Sequence, residues 1–262
     1  MTAPGPAAPE APTGAQARPS APGARTTGVR TAAALAVVVL ATAVLPLGNA
    51  LWAPLAPAFP GLDADLAARL RYQLGALALA AVVVAAVAWL VPGSRRFLRL
   101  GRLDAPVVPV PAIGLRPKPS ETWRQVGAGF AVVVTGVTAL IVGLQVLGGG
   151  GADLERAVRF LPWALLLAAS NALVEESITR FGVVGALADR LPPQAVYLAS
   201  GALFGVAHYW GVPGGLPGVA AAGFLGWLLA KSIGETGGLG WAWFLHFLQD
   251  VVIFSALFAA AS

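Results

Sequence analysis

The chain has 262 residues, of which 57% are hydrophobic and only 11% charged, with a net charge of +5 and a mean hydropathy of +0.76. Soluble domains carry about 25% charged residues, so this composition excludes an ordinary water-soluble globule and points to an integral membrane protein. The sequence contains no cysteine, which excludes disulfides, thiolate nucleophiles and zinc–sulfur sites, and its basic residues lie mostly between apolar spans, which argues against nucleic acid as a partner.

Residues 1–30 are rich in Pro, Ala, Gly, Ser and Thr and read as a disordered tail. A cleaved secretory signal is the rival reading, since Arg30 precedes the apolar run 31–48, but the tail is long and "GNALW" is a poor cleavage site. Apolar runs long enough to cross a bilayer fall at 31–51, 73–92, 123–147, 160–182, 194–210, 217–233 and 240–260. They predict an all-α, polytopic transmembrane bundle of about seven to eight helices over 31–262, with the active site inside the bundle. Between the second and third runs, 93–122 carries "SRRFLRLGR", several prolines and "RPKP". It reads as a basic interfacial loop, suited to anionic lipid headgroups or to an acidic partner. With the N-terminus in the cytoplasm, only Arg69, Arg71, Arg156 and Arg159 of the 17 Lys and Arg fall outside. This bias predicts a multi-pass cell-membrane protein with a cytoplasmic N-terminus. "GALFG" at 201–205 is a GxxxG step, a signature of close helix packing.

The stretch "ALVEESITRF" at 172–181 puts charges inside an apolar span. Such residues cost about 2.5–3.5 kcal/mol each on insertion scales and face a cavity or each other. The segment 160–260 concentrates them: Glu175, Glu176 and Arg180, then His208, then His246 and Asp250. The chain's 2 histidines are both in this set. Glu176 and Arg180 are i,i+4 and can pair on one helix face, while Glu175 points about 100° away. His246 and Asp250 repeat the i,i+4 step, as do Phe204 and His208. Each group has a structural reading: an ion pair, a snorkelling arginine, an interfacial histidine beside Tyr209 and Trp210, a packed phenylalanine. Those readings weaken jointly, because three separate helices each bring a costly group.

The motifs "EESITR" (175–180), "FGVAH" (204–208) and "HFLQD" (246–250) resemble those of the CAAX protease and bacteriocin-processing membrane proteases, relatives of the type II CAAX prenyl endopeptidase. That family's pattern is E-E-x-x-x-R, F-x-x-x-H and H-x-x-x-N or D, and the resemblance covers about 165–255. It implies a membrane-embedded peptidase acting on a peptide or protein substrate. Peptide hydrolysis needs an activated water and an oxyanion stabiliser. Glu175 is the candidate base. By the resemblance, His208 holds the same water, Glu176 with Arg180 fixes the helix and balances charge, and His246 with position 250 stabilises the oxyanion. Phe204 is the candidate substrate contact. An ionised Asp250 would repel an oxyanion, so it is expected behind His246 as its orienting carboxylate.

No cofactor is expected. Zinc is the minority alternative, because H-E-x-x-H is absent and the histidines lie on different helices. A rhomboid-like serine site lacks its motif at Ser200-Gly201. The competing functions are a non-catalytic scaffold or self-immunity protein and a proton-coupled transporter using Glu175 and the histidines as a relay. Helical rise puts Glu175 about 22 Å below the outer end at Phe160 and His208 about 20 Å from Gln194. The two match only if the fifth span is tilted or short.

Overall fold

The computed structural model describes residues 22–211 and 214–260, so residues 1–21 of the expected tail lie outside them. Among the described residues the chain is all-helical. The elements are α1 (Pro22–Val44), α2 (Gly48–Leu51), α3 (Ala64–Leu90), α4 (Trp123–Gly148), α5 (Leu154–Glu175), α6 (Gly182–Leu187), α7 (Pro193–Ala207), α8 (Gly215–Thr236) and α9 (Gly240–Ala259). Residues 22–30 are therefore helical where a tail was expected. Local chemistry sets several ends. Asp63 and Asp153 cap α3 and α5 with their carboxylates, and Thr122 with Gln125 forms a capping box on α4. α8 stops at Gly237, whose φ of 71° is the left-handed conformation of a helix C-terminus.

Among the described residues six helical stretches are long and apolar enough to cross a membrane: 26–51, 64–90, 123–148, 154–187, 215–236 and 240–259. The expected span at 194–210 is instead the short α7, which ends in a tight turn at His208. The expected span at 160–182 is longer than its apolar run, because α5 continues through a π turn (Glu176–Phe181) into α6.

Side-chain pairings give the directions. Phe160 stacks on Phe258 at 4.9 Å near one end, and His246 meets Glu176 toward the other, so α5 and α9 are antiparallel. α4 runs parallel to α9, with Gly127 against Trp241 and Thr138 bonded to Gln249. α3 runs parallel to α5, from Asp63 beside Arg156 to Val87 beside Gly185. α1 and α2 run against α3, where Trp52 Nε1 donates to the Tyr72 carbonyl and the Tyr72 hydroxyl donates to the Leu45 carbonyl. α1 and α9 thus point the same way, and Pro22 and Ala259 lie on opposite faces. α7 and α8 form an antiparallel hairpin whose contact is glycine. A Cβ on Gly201 would sit 2.7 Å from the Gly223 carbonyl oxygen, and one on Gly205 would sit 2.6 Å from that of Val219. The GxxxG step is a packing device, as expected. α8 is the most enclosed long helix, and α4 is the least, leaning chiefly on α9.

One face gathers 91–122, 188–192 and 237–239, and with them Arg95, Arg96, Arg99, Arg102, Arg116, Lys118, Arg124 and Arg190. We call it the basic face. The segment 93–122 is an ordered cap here. Arg96 donates twice to Asp189, at 3.0 and 2.7 Å. These bonds hold the Asp189 carboxyl below the usual carboxylate range and raise Arg96 in turn. Arg99 donates to the Gly237 carbonyl at 2.8 Å, and the amides of Leu239 and Gly240 donate to Arg99 and Leu100. The buried Lys231 donates to the Val108 carbonyl and pairs with Glu235, which accepts from Val108 N and from Trp123 Nε1 at 2.9 Å. The α8–α9 turn is thereby covered, and α9 begins beneath the surface of the face. The continuation of α5 to Leu187 sets Glu175 about 18 Å from that helix's basic-face end at about 1.5 Å per residue, which brings it level with His208 and removes the depth mismatch expected from the apolar runs.

Candidate active site

Glu175 closes α5, and the next turn widens: Gly182 N donates to the Ser177 carbonyl, five residues back. Thr179 Oγ1 donates to the Glu175 carbonyl at 2.7 Å, so a side chain helps satisfy the loosened backbone. Ser200 Oγ of α7 donates to the Thr179 carbonyl at 3.1 Å. Within this turn Arg180 pairs with Glu176 at 2.9 Å, both fully buried. The Arg180 guanidinium also lies 3.5 Å from the centroid of the Phe204 ring, a cation–π contact that fixes α7 against the turn.

The adjacent carboxylates diverge. Glu176 turns into the core, where its Oε1 lies 2.7 Å from His246 Nδ1. Glu175 turns into a cavity. Its Oε1 accepts from Asn171 Nδ2 at 3.1 Å. Its Oε2 is buried with no hydrogen-bond partner, 3.6 Å from His246 Nε2 and 4.0 Å from His208 Nε2. His208 Nδ1 is 2.9 Å from the Phe204 carbonyl. A carbonyl only accepts, so Nδ1 donates and Nε2 of the neutral ring presents its lone pair to the cavity. Phe204 is buried, its ring 4.1 Å from that of His208 and 5.7 Å from that of His246.

All seven residues singled out in the sequence are thus brought together, with one correction. Asp250 does not stand behind His246. Its Oδ1 is 3.8 Å from Nε2, the cavity-facing nitrogen, and its Oδ2 accepts from Asn171 Nδ2 at 3.1 Å. The carboxylate that orients the ring at Nδ1 is Glu176. An i,i+4 step allowed the Asp250 contact but did not decide which ring nitrogen it would reach.

Asn171 was missed. One amide nitrogen holds both Glu175 and Asp250, and its signal was a polar side chain four residues before Glu175 in an apolar run. Gln249 was missed too. It accepts from Thr138 Oγ1 at 2.6 Å and donates to Thr135 Oγ1 at 3.0 Å, tying α9 to α4 beside the site.

The cavity encloses about 470 Å³. Glu175, Asn171, His208, His246 and Asp250 line one part, and Val133, Val137, Ile141, Phe224, Ile253 and Leu257 an apolar part extending away from the basic face. Among the described residues no group of three or more His, Asp or Glu is disposed to hold a metal ion.

A polytopic helical bundle with an ionisable centre set in an apolar cavity defines the class: a membrane protein with a candidate catalytic site at depth. Residues 157–252 match the family described as Type II CAAX prenyl endopeptidase Rce1-like, a family of membrane proteases, and the match spans all three motifs. This is the family the motifs resemble. Neither the comparison with curated proteins nor that with solved structures gave a match.

Proposed function

We propose that the chain is an intramembrane endopeptidase in which Glu175 activates a water for attack on a peptide bond. The observation that carries this reading is Glu175 Oε2, a buried oxygen without a partner, facing two histidine Nε2 atoms across one cavity. A water there gives one proton to Glu175 and donates a hydrogen bond to the His208 Nε2 lone pair, leaving the electron pair of its broken O–H bond for the carbonyl carbon. His246, as an imidazolium whose Nδ1–H is held by Glu176, donates from Nε2 to the developing oxyanion. Glu175 then passes its proton to the leaving amine. Glu176 and Arg180 hold the ring and neutralise each other, and Asn171 keeps the base aimed. Phe204 is the floor under both histidines and the nearest aromatic surface to a bound substrate. The apolar part of the cavity receives a hydrophobic portion of the substrate, and no metal is required.

Purified protein with a quenched peptide, or with a membrane-anchored reporter, tests this. Wild type cleaves. Glu175→Ala and His208→Ala lose about 100-fold or more at unchanged melting temperature, and chelators leave wild-type cleavage intact. An intact protein that cleaves nothing would point to a scaffold, and proton-coupled uptake in liposomes to a transporter.

A further inference from the structure

A second recess lies on the outer side of the α7–α8 hairpin, away from the catalytic carboxylates. It has a volume of about 570 Å³, is almost wholly apolar, and has Gly201, Gly205 and Gly223 on its floor. Its basic-face end is closed by Val110 and Ile113 of the capping segment and by Gln194, which accepts from Trp227 Nε1 at 3.3 Å. From Gln194 to Val206 the helix advances about 18 Å at about 1.5 Å per residue. That is close to one leaflet, about half of a hydrocarbon core roughly 30 Å thick. A transmembrane helix from another chain would need a groove twice as long.

The basic-face end also carries charge. Val110 and Leu115 exchange backbone hydrogen bonds at 2.8 and 3.2 Å, so Arg116 follows directly on the hairpin that seats Val110 in the groove. Arg116 and Lys118 are exposed, and among the described residues neither joins an ion pair. Arg95, Arg96 and Arg99, by contrast, are each engaged by a carbonyl or carboxylate. The loop therefore divides into a half that caps the fold, where Arg102 alone among four arginines has no such side-chain bond among the described residues, and a half whose two cations are free beside an apolar, leaflet-deep groove.

We propose that this groove binds one anionic glycerophospholipid of the basic-face leaflet, an acyl chain along Gly201, Gly205 and Gly223 and the phosphate at Arg116 and Lys118. The chain is buried without an aqueous cost, and the headgroup meets two cations where polybasic segments attract anionic lipid.

The test is native mass spectrometry of the delipidated full-length protein with dioleoyl phosphatidylglycerol or dioleoyl phosphatidylcholine. The proposal predicts one tight site with about a tenfold preference for phosphatidylglycerol, or about 1.4 kcal/mol. The double variant Arg116→Gln, Lys118→Gln should bind the two lipids within about twofold. Ala202→Trp, which fills the groove from an exposed position on α7, should remove the site for both. Gly201 and Gly205 are unsuitable for this purpose because a Cβ there strikes α8. Melting temperature monitors folding, and if Ala202→Trp lowers it, the charge variant decides alone. Equal binding of both lipids by wild type, or a preference unchanged by the charge variant, overturns the proposal. So does disulfide cross-linking through Ala202→Cys in an otherwise cysteine-free chain, which would show a second copy in the groove.

Discussion

Glu175 and Glu176 are neighbours with opposite surroundings, and the account rests on that difference. Glu176 is enclosed by Arg180 and His246, and Glu175 has one oxygen tied to Asn171 and one left open to the cavity. Breaking a buried pair strands the other charge, at about 3–5 kcal/mol. Glu176→Ala should therefore lose that much stability in denaturant melts, and cleavage with it. Asp250→Asn should be mild, within about tenfold of wild-type cleavage, because His246 is oriented from Nδ1 by Glu176. A loss as deep as that of Glu175→Ala would restore Asp250 to the orienting role. At this scale the sequence was informative because charge is expensive in lipid, so each ionisable residue stood out. Asn171 and Gln249 were hidden because an uncharged amide costs less than a charge and can be satisfied by neighbours that the sequence does not show.

Among the elements, spans were legible where apolar runs and helices coincide, as for 123–147 and 240–260. They were not legible where a helix outlasts its apolar run. The continuation from α5 to α6 depends on a π turn, stabilised by Thr179 Oγ1 and by packing on α7, which periodicity does not encode. The depth of α9 depends on a loop more than a hundred residues earlier in the chain: a Cβ on Gly238 would lie 2.3 Å from the Arg99 carbonyl oxygen. The α7–α8 hairpin offers a sharp test. Gly205→Val must displace the α8 backbone, should cost about 1–3 kcal/mol in melting experiments, and should depress cleavage by moving His208. Gly129→Ala on α4, where a Cβ meets nothing within 4 Å, should be neutral or stabilising by up to about 1 kcal/mol. Equal behaviour of the two variants would contradict the packing assigned to the hairpin.

For the whole molecule, the asymmetry of charge becomes a geometric asymmetry, with the capping segment and both of its neighbouring turns on the basic face. The bias of Lys and Arg predicts that this face is the cytoplasmic one. Since the chain has no cysteine, single cysteines report cleanly. Lys118→Cys should react with an impermeant maleimide only from the cytoplasmic side, and Gly150→Cys only from the other. The reverse pattern would invert the orientation. The most direct measurement of the central claim is the rate at which purified wild type and Glu175→Gln, at matched melting temperature, hydrolyse the same membrane-anchored reporter. The account predicts clear hydrolysis by wild type and at least about a hundredfold less by the variant, whose amide cannot take a proton from water. Comparable rates from the two proteins would contradict it.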